Sequence, residues 1–409
     1  MSEGATAAAR GPALAGLRVL DFSIVMSGPM CTRMLADAGA DVTKVEAPDG
    51  DVVRHREPFR GGVSTYYASM NCGKRSIVLD LRTDDGRRIA RALAERADVL
   101  VENFRPGVMQ RLGLDHASLA EANPRLVYAS ISGFGQGGPR AEAPAYAPVI
   151  HAASGYEVAY SDYQRGGDKP ANNGIFIADV MGASYAFGAI QLALFERERS
   201  GRGQRIDVSL MESVLGMLIY EMQAAQCPPE RGRQVYEPVR AADGWVMVAA
   251  VTRKNLESLF DVIGFPEGKT DPRFATVATK EANWAALLAV IERWTSQRSA
   301  AECEAALMRA GVPCSRYRSV AEAMADPQCA SRGFFSDLGQ GEDRFRVANL
   351  PYRLSETPTR VRPQVSSLGE DTEAVLGEAL GLGSEELARL RERGAFGREP
   401  SPAGVSAAA

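Results

Sequence analysis

Leu17-Arg-Val-Leu-Asp-Phe-Ser23, then Ser27-Gly-Pro29 and, past Gly39, Asp41-Val-Thr-Lys-Val-Glu46 decide how this chain folds. The first run alternates as a strand does. Pro29 stands near the start of a helix, where its missing N–H is not needed, and Gly39 stops that helix. The last run is a second strand. Strand, helix and strand within about thirty residues form a βαβ unit, so the expected class is α/β with a doubly wound parallel sheet.

Outward from this unit the alternation continues. Strands are expected at Arg75–Leu81, Asp98–Glu102, Leu126–Ser132 and Arg205–Leu210, with helices over Asp84–Arg96 and Met211–Gln226. Ligands of such sheets bind beyond the carboxyl ends of the strands, which makes Ile24–Gly28, Glu102–Gly107 and Gly133–Gly138 the expected rim. There is no Gly-x-Gly-x-x-Gly after the first strand, which argues against a dinucleotide.

At 409 residues the chain exceeds the size at which one core stops growing, so two domains are expected. The boundaries read as a large domain from 17–226 and 327–397 and a small α+β domain over 234–326. Pro228-Pro229 to Arg233 is the linker. The small domain is expected to hold a strand at Trp245–Ala250 and helices at Lys254–Ile263, Asn283–Thr295 and Ala300–Arg309. Trp284, Leu287, Leu288, Ile291 and Trp294 recur at helical spacing and read as its core. From Pro327 the sequence turns strand-rich, with Arg344–Ala348 and Pro351–Leu354, before Leu376 and a charged helix over Ser384–Arg393. The ends, 1–16 and 398–409, read as a disordered arm and tail.

Apolar and charged fractions of 45% and 24% are those of an ordinary soluble protein, and with a net charge of −4 and no long basic run nothing argues for nucleic acid or an anionic membrane as partner. Six scattered cysteines and three histidines, His55, His116 and His151, lack metal-ligand spacing, so no metal is expected. Reduced thiols point to the cytoplasm.

Asn173-Gly-Ile-Phe-Ile-Ala-Asp179 leads into Val180–Phe195, sixteen residues without a charge, followed by Arg197, Arg199 and Gly201. This is a buried helix with a carboxylate at its N-terminus, and the uncharged run falls short of the roughly 20 residues a bilayer requires. Asp179 there is either a helix cap or a nucleophile held beside a cleft.

Asp179, its helix and Ser200-Gly-Arg-Gly-Gln-Arg-Ile-Asp-Val-Ser-Leu-Met-Glu-Ser213 resemble the central signature of the family III CoA-transferases. Arg18–Ser23, Gly39–Glu46, Gly73–Leu81, Asp98–Gly107 and Ser132–Gly135 are similar too, in family order. The resemblance implies that Asp179 attacks an acyl-CoA thioester, giving an acyl-aspartyl anhydride and then an aspartyl-CoA thioester from which an acceptor carboxylic acid collects CoA. Acyl-CoA is then a substrate, with no permanently bound cofactor. It also implies that Val25, Ser27, Leu79, Leu81, Asn103, Phe104, Arg111 and Leu112 contact CoA, although core packing is the plainer reading of the three leucines. Two chains are expected to pass through one another as an interlocked homodimer.

Members of this family that act on formyl-CoA have a glutamine where this chain has Met26, a lysine at Pro144 and a carboxylate at Ala147. Met26 and Tyr146 therefore suggest a larger, more apolar acid, and His151 a pocket or structural role. Arg165 and Lys169 either meet a second carboxylate or belong to a charged loop. Related acyl-CoA racemases carry a His–Asp pair where Tyr146 and Ala147 stand, and a phenol of pKa about 10 abstracts an α-proton poorly. A 2-methylacyl-CoA racemase is the first alternative. The CoA-binding subunit of a heteromeric transferase is the second.

Overall fold

The computed structural model describes residues 11–164, 169–230 and 235–397. They separate into two compact units: residues up to Ala225 together with those from Arg332 on, and Gln226–Ser331.

The first unit is built on six parallel strands, β1 (Arg18–Asp21), β2 (Asp41–Glu46), β3 (Arg75–Val78), β4 (Val99–Glu102), β5 (Val127–Ser132) and β6 (Arg205–Ser209). Their spatial order is β3-β2-β1-β4-β5-β6. The chain winds outward from β1 to one edge and then from β4 to the other. That reversal leaves a crevice outside the carboxyl ends of β1 and β4.

Alternate residues of each strand enter opposite cores, as pleating requires. Val19, Val99, Val101 and Val127 pack on one side beneath α1 (Ser27–Asp37) and the long crossover helix Ile177–Ser200. Leu20, Leu100 and Tyr128 pack on the other, where Ile89 comes from α2 (Asp84–Ala94). Val375 and Leu390 reach that second face from helices Thr372–Leu380 and Ser384–Glu392. The end of the chain thus completes the core that its beginning started.

Several expectations need correction. Residues 12–16 are not a free arm: the Leu14 N–H donates to the Ala38 carbonyl at 3.0 Å and the side chain packs on the core. Residues 1–10 and 398–409 lie outside those described. The expected helix over Met211–Gln226 is two helices, Leu210–Leu215 and Ile219–Gln226, broken where Gly216 caps the first. Pro351–Leu354 is not a strand; Pro351 has no N–H to give a ladder, and the hairpin Phe335–Leu338 with Phe345–Ala348 ends before it. Leu376 is buried in a helix.

The helix at Ile177–Ser200 has 24 residues, so it outruns the uncharged stretch and is long and apolar enough to cross a bilayer. Here it is the connection between β5 and β6. Ala178, Gly182, Ala183, Ala186 and Ile190 are buried along it, which is the behaviour of a core helix. A Cβ on Gly182 would stand 2.3 Å from the Leu210 side chain, so the small residues of its early turns serve close packing.

The second unit has a three-stranded antiparallel sheet, Val239–Arg240, Trp245–Val248 and Cys314–Arg316, with the middle strand in the centre. Helices Arg253–Val262, Trp284–Thr295 and Ala300–Arg309 cover it. Trp284, Leu287 and Ile291 are buried, with Leu288 and Trp294 packed partly against them.

Candidate active site

Asp179 is the third residue of the helix Ile177–Ser200, which from here on is α3. The N-cap position belongs to Phe176, which offers no side-chain acceptor, so Asp179 does not act as the helix cap. Its carboxylate is half-buried beside Ser27, the first residue of α1. Burial raises its pKa; hydrogen bonding to the Ser27 hydroxyl and backbone N–H pulls back, and the balance lies at about 6. Such a carboxylate is mostly ionised at neutral pH yet poorly solvated, which favours nucleophilic attack.

Ser27 is itself held by the loops that follow β1 and β4. The side-chain amide of Asn103 accepts from Ile24 N–H at 2.8 Å and donates to the Ile24 carbonyl at 2.8 Å. It also donates to Ser27 Oγ at 3.3 Å. With Oγ accepting from Asn103, the hydroxyl proton is free to point at Asp179. Gly28 is required beside it, because a Cβ there would fall 2.1 Å from Ser23 Cβ. The rim expected at Ile24–Gly28 and Glu102–Gly107 is therefore one connected edge.

Beneath this edge lies a buried ionic network. Val25 has φ of 67°, a left-handed conformation that costs a β-branched residue free energy. Its N–H donates to both oxygens of Asp51, at 3.2 and 3.3 Å. Asp51 is paired with Lys44 at 3.1 Å, and Lys44 also donates to the Ser23 carbonyl at 2.7 Å. Next to them Lys74 meets Asp21 at 3.0 Å. Burial would raise the Asp21 carboxyl, but the Lys74 and Lys44 ammoniums, with the Ser23 and Thr32 hydroxyls, hold it well below the usual carboxylate range. Sequence reasoning saw these residues as strand and loop. The signal was Lys44 and Glu46, charged residues inside a parallel strand that is buried from Val42 onward.

Of the residues expected to contact CoA, Val25 and Ser27 follow β1, Leu79 and Leu81 follow β3, and Asn103 and Phe104 follow β4, all at the same edge of the sheet. The Phe104 N–H donates to Glu102 at 2.9 Å, fixing that loop. Arg111 is exposed at the end of the short helix Val108–Arg111, and its guanidinium makes no hydrogen bond or ion pair among the described residues. Leu79 is 1% exposed in the core, so its side chain packs and does not face the rim. Leu81 and Leu112 are partly buried against the same core.

Met26, at the N-cap of α1, meets the hydroxyl of Tyr66 through its sulfur at 3.4 Å, and the Asp179 charge bears on that phenol. Tyr66 was not foreseen, since nothing in Thr65–Asn71 marks it beyond a tyrosine pair. Tyr146 stands exposed at the head of the short helix Ala147–Ala153. His151, on the same helix, is buried, and its Nε2 accepts from the Ala178 N–H at 3.1 Å. Lys169 is exposed, while Arg165 lies outside the described residues. No group of histidine, cysteine, aspartate or glutamate among the described residues is arranged to hold a metal.

A carboxylate of raised pKa thus stands beside Ser27, at the crevice outside the carboxyl ends of β1 and β4. Residues 14–372 match CoA-transferase family III, and the chain belongs to that family. It is 38% identical to the acetyl-CoA:oxalate CoA-transferase of Acetobacter aceti over 83% of this chain and 89% of that one. It is 34% identical to the succinate–glutarate CoA-transferase of Agrobacterium fabrum, covering 90% and 96%. The crystal structure of a CAIB/BAIF family protein from Brucella suis superposes with a TM-score of 0.79 at 34% identity, over 90% of this chain and all of the other. The protein is a family III CoA-transferase.

Proposed function

We propose that the chain moves CoA from an acyl-CoA to a carboxylic acid through covalent intermediates on Asp179. The observation that carries this is the Asp179 carboxylate itself: half-buried, raised to about 6, and facing Ser27 at the crevice. A carboxylate oxygen attacks the thioester carbonyl, the C–S bond breaks, and CoA leaves as thiolate with an acyl-aspartyl anhydride behind it. The thiolate then attacks the Asp179 carbonyl, releasing the donor acid and forming the aspartyl-CoA thioester. The acceptor carboxylate repeats both steps in reverse and restores Asp179. No electrons change hands, and each thiolate released is consumed. Ser27 N–H and hydroxyl are placed to stabilise charge on the Asp179 oxygens.

Phe104 would pack on the adenine or pantetheine and Arg111 would pair with phosphate. The relatives named for oxalate and for succinate with glutarate support a small dicarboxylic acid as one partner. Met26 and Tyr66 beside Asp179 favour the longer of these over oxalate. We also read the assembly as the interlocked homodimer. Leu192 and Phe195 on α3 are 73% and 64% exposed, more apolar surface than a crossover helix leaves bare. Leu192→Glu should then shift the sedimentation of the protein towards monomer. Six unpaired cysteines fit a reducing cytoplasm, where we place the reaction.

The test is incubation with a panel of acyl-CoAs, trapping with hydroxylamine, and mass spectrometry of the Asp179 peptide, with Asp179→Asn as control. A trapped mass on Asp179 that the variant lacks is the expected result. Exchange of the α-proton of a 2-methylacyl-CoA without any adduct would instead establish the racemase.

A further inference from the structure

We propose that His151 is a positioning residue for the nucleophile: its imidazole serves as the missing cap of α3 and so sets the direction of Asp179. The proposal rests on the reading of Asp179 as nucleophile and concerns what holds it in place.

The first N–H groups of any helix lack partners within it, and a side-chain acceptor at the N-cap normally supplies one. In α3 the N-cap is Phe176, which cannot. The Ala178 N–H instead donates to His151 Nε2 at 3.1 Å, across 27 positions of sequence. Both residues are buried, Ala178 completely, so water does not compete for the bond. Ala178 immediately precedes Asp179.

A ring nitrogen that accepts a hydrogen bond carries no proton, so His151 is neutral with its proton on Nδ1. Nδ1 faces Glu157 Oε1 at 4.0 Å, which favours that tautomer. The edge of Tyr156 closes on the ring, with centroids 5.5 Å apart. Tyr156 in turn uses its hydroxyl to accept from Asn173 Nδ2 at 2.6 Å, and Asn173 Oδ1 accepts from the Ile175 N–H at 2.8 Å. One pair of neighbouring rings therefore pins both the lead-in at 173–175 and the first turn of α3. The lone pair that a proton-abstracting histidine would need is already occupied.

Replacement should separate the acceptor from the ring. His151→Gln keeps an acceptor of similar reach, and kcat should stay within about threefold; His151→Leu removes it, and kcat should fall about tenfold, the scale of a lost cap, with the acyl-CoA KM within twofold. Equal effects of the two variants, or no loss in His151→Leu, would overturn the proposal. Because the leucine variant risks misfolding, a second measurement uses folded wild-type protein. With three histidines in the chain, ¹⁵N-histidine NMR assigned by His151→Gln reads the tautomer directly. A bare Nε2 is expected, and an Nε2–H ring would sink the contact. Trapping of the wild-type adduct separates the two ideas. An Asp179 that labels normally while both variants behave alike removes only the positioning role. An Asp179 that never labels removes the nucleophile and this proposal with it.

Discussion

Asp51 and Val25 are joined by two hydrogen bonds from one backbone N–H, at 3.2 and 3.3 Å, and Val25 is the one non-glycine with a left-handed φ among the described residues. The carboxylate holds a conformation that valine resists, two residues before the serine that touches Asp179. Asp51→Asn would also take from Lys44, 1% exposed, the carboxylate it pairs with directly. The expected loss is about 3 kcal/mol of stability in urea denaturation. Val25→Gly in the same background should recover part of it, since glycine needs no holding there. An Asp51→Asn protein as stable as wild type would contradict this account.

Activity should rise with pH through about 6, as Asp179 loses its proton. Stability should move the other way. With a folded pKa above its unfolded value near 4, Asp179 is protonated preferentially in the folded state, so stability falls as pH climbs from about 4 to about 6. Asp179→Asn removes that dependence. It should be inactive, and more stable than wild type by about 2 kcal/mol at pH 7, by thermal or urea unfolding at both pH values.

Arg111→Ala should raise the KM for acyl-CoA about tenfold with kcat little changed, the scale of one lost charge-assisted hydrogen bond. Wild type should prefer CoA esters over their 3′-dephospho forms, and the variant should lose some of that preference if Arg111 meets the ribose phosphate. Unchanged KM in the variant would remove Arg111 from the CoA site.

Gly28→Ala tests the tight joint between α1 and the end of β1. The added methyl would need Ser23 to move by more than an ångström, and Ser23 is anchored by Asp21. A loss of about 3 kcal/mol or failure to fold is expected. A variant that folds and retains wild-type turnover would show the joint to be slack.

Much of this arrangement was legible in local pattern. The alternation of Leu17–Ser23, the proline at 29 and the glycine at 39 report directly on backbone preferences, so β1, α1 and β2 emerged within a few residues of where they lie. The helix carrying Asp179 was legible as well, but its start was not, because Phe176 and Ile177 carry no capping signal and the acceptor for Ala178 comes from His151. The buried ions were hidden for a similar reason. Lys44, Asp51, Lys74 and Asp21 find one another across the sheet, and a partner 53 positions away leaves no trace in spacing. Leu79, expected at the rim only by resemblance, is buried as core packing would have it: standing beside a rim loop says nothing about whether a side chain faces in or out.

The way β3 is finished bears on how the molecule is made. On its open side the Ser76 N–H donates to Asp371 at 2.8 Å and the Val78 N–H to Thr372 Oγ1 at 3.1 Å, while Ser366 O takes a guanidinium N–H from Arg54. During synthesis these acceptors leave the ribosome almost three hundred residues after the strand they cover. A nascent chain that has released β3 therefore carries an exposed sheet edge and an uncovered apolar face for most of its translation, the surfaces on which aggregation begins. Chains interrupted before residue 366 should be found with chaperones or in inclusion bodies, whereas one stopped after 397 should emerge soluble.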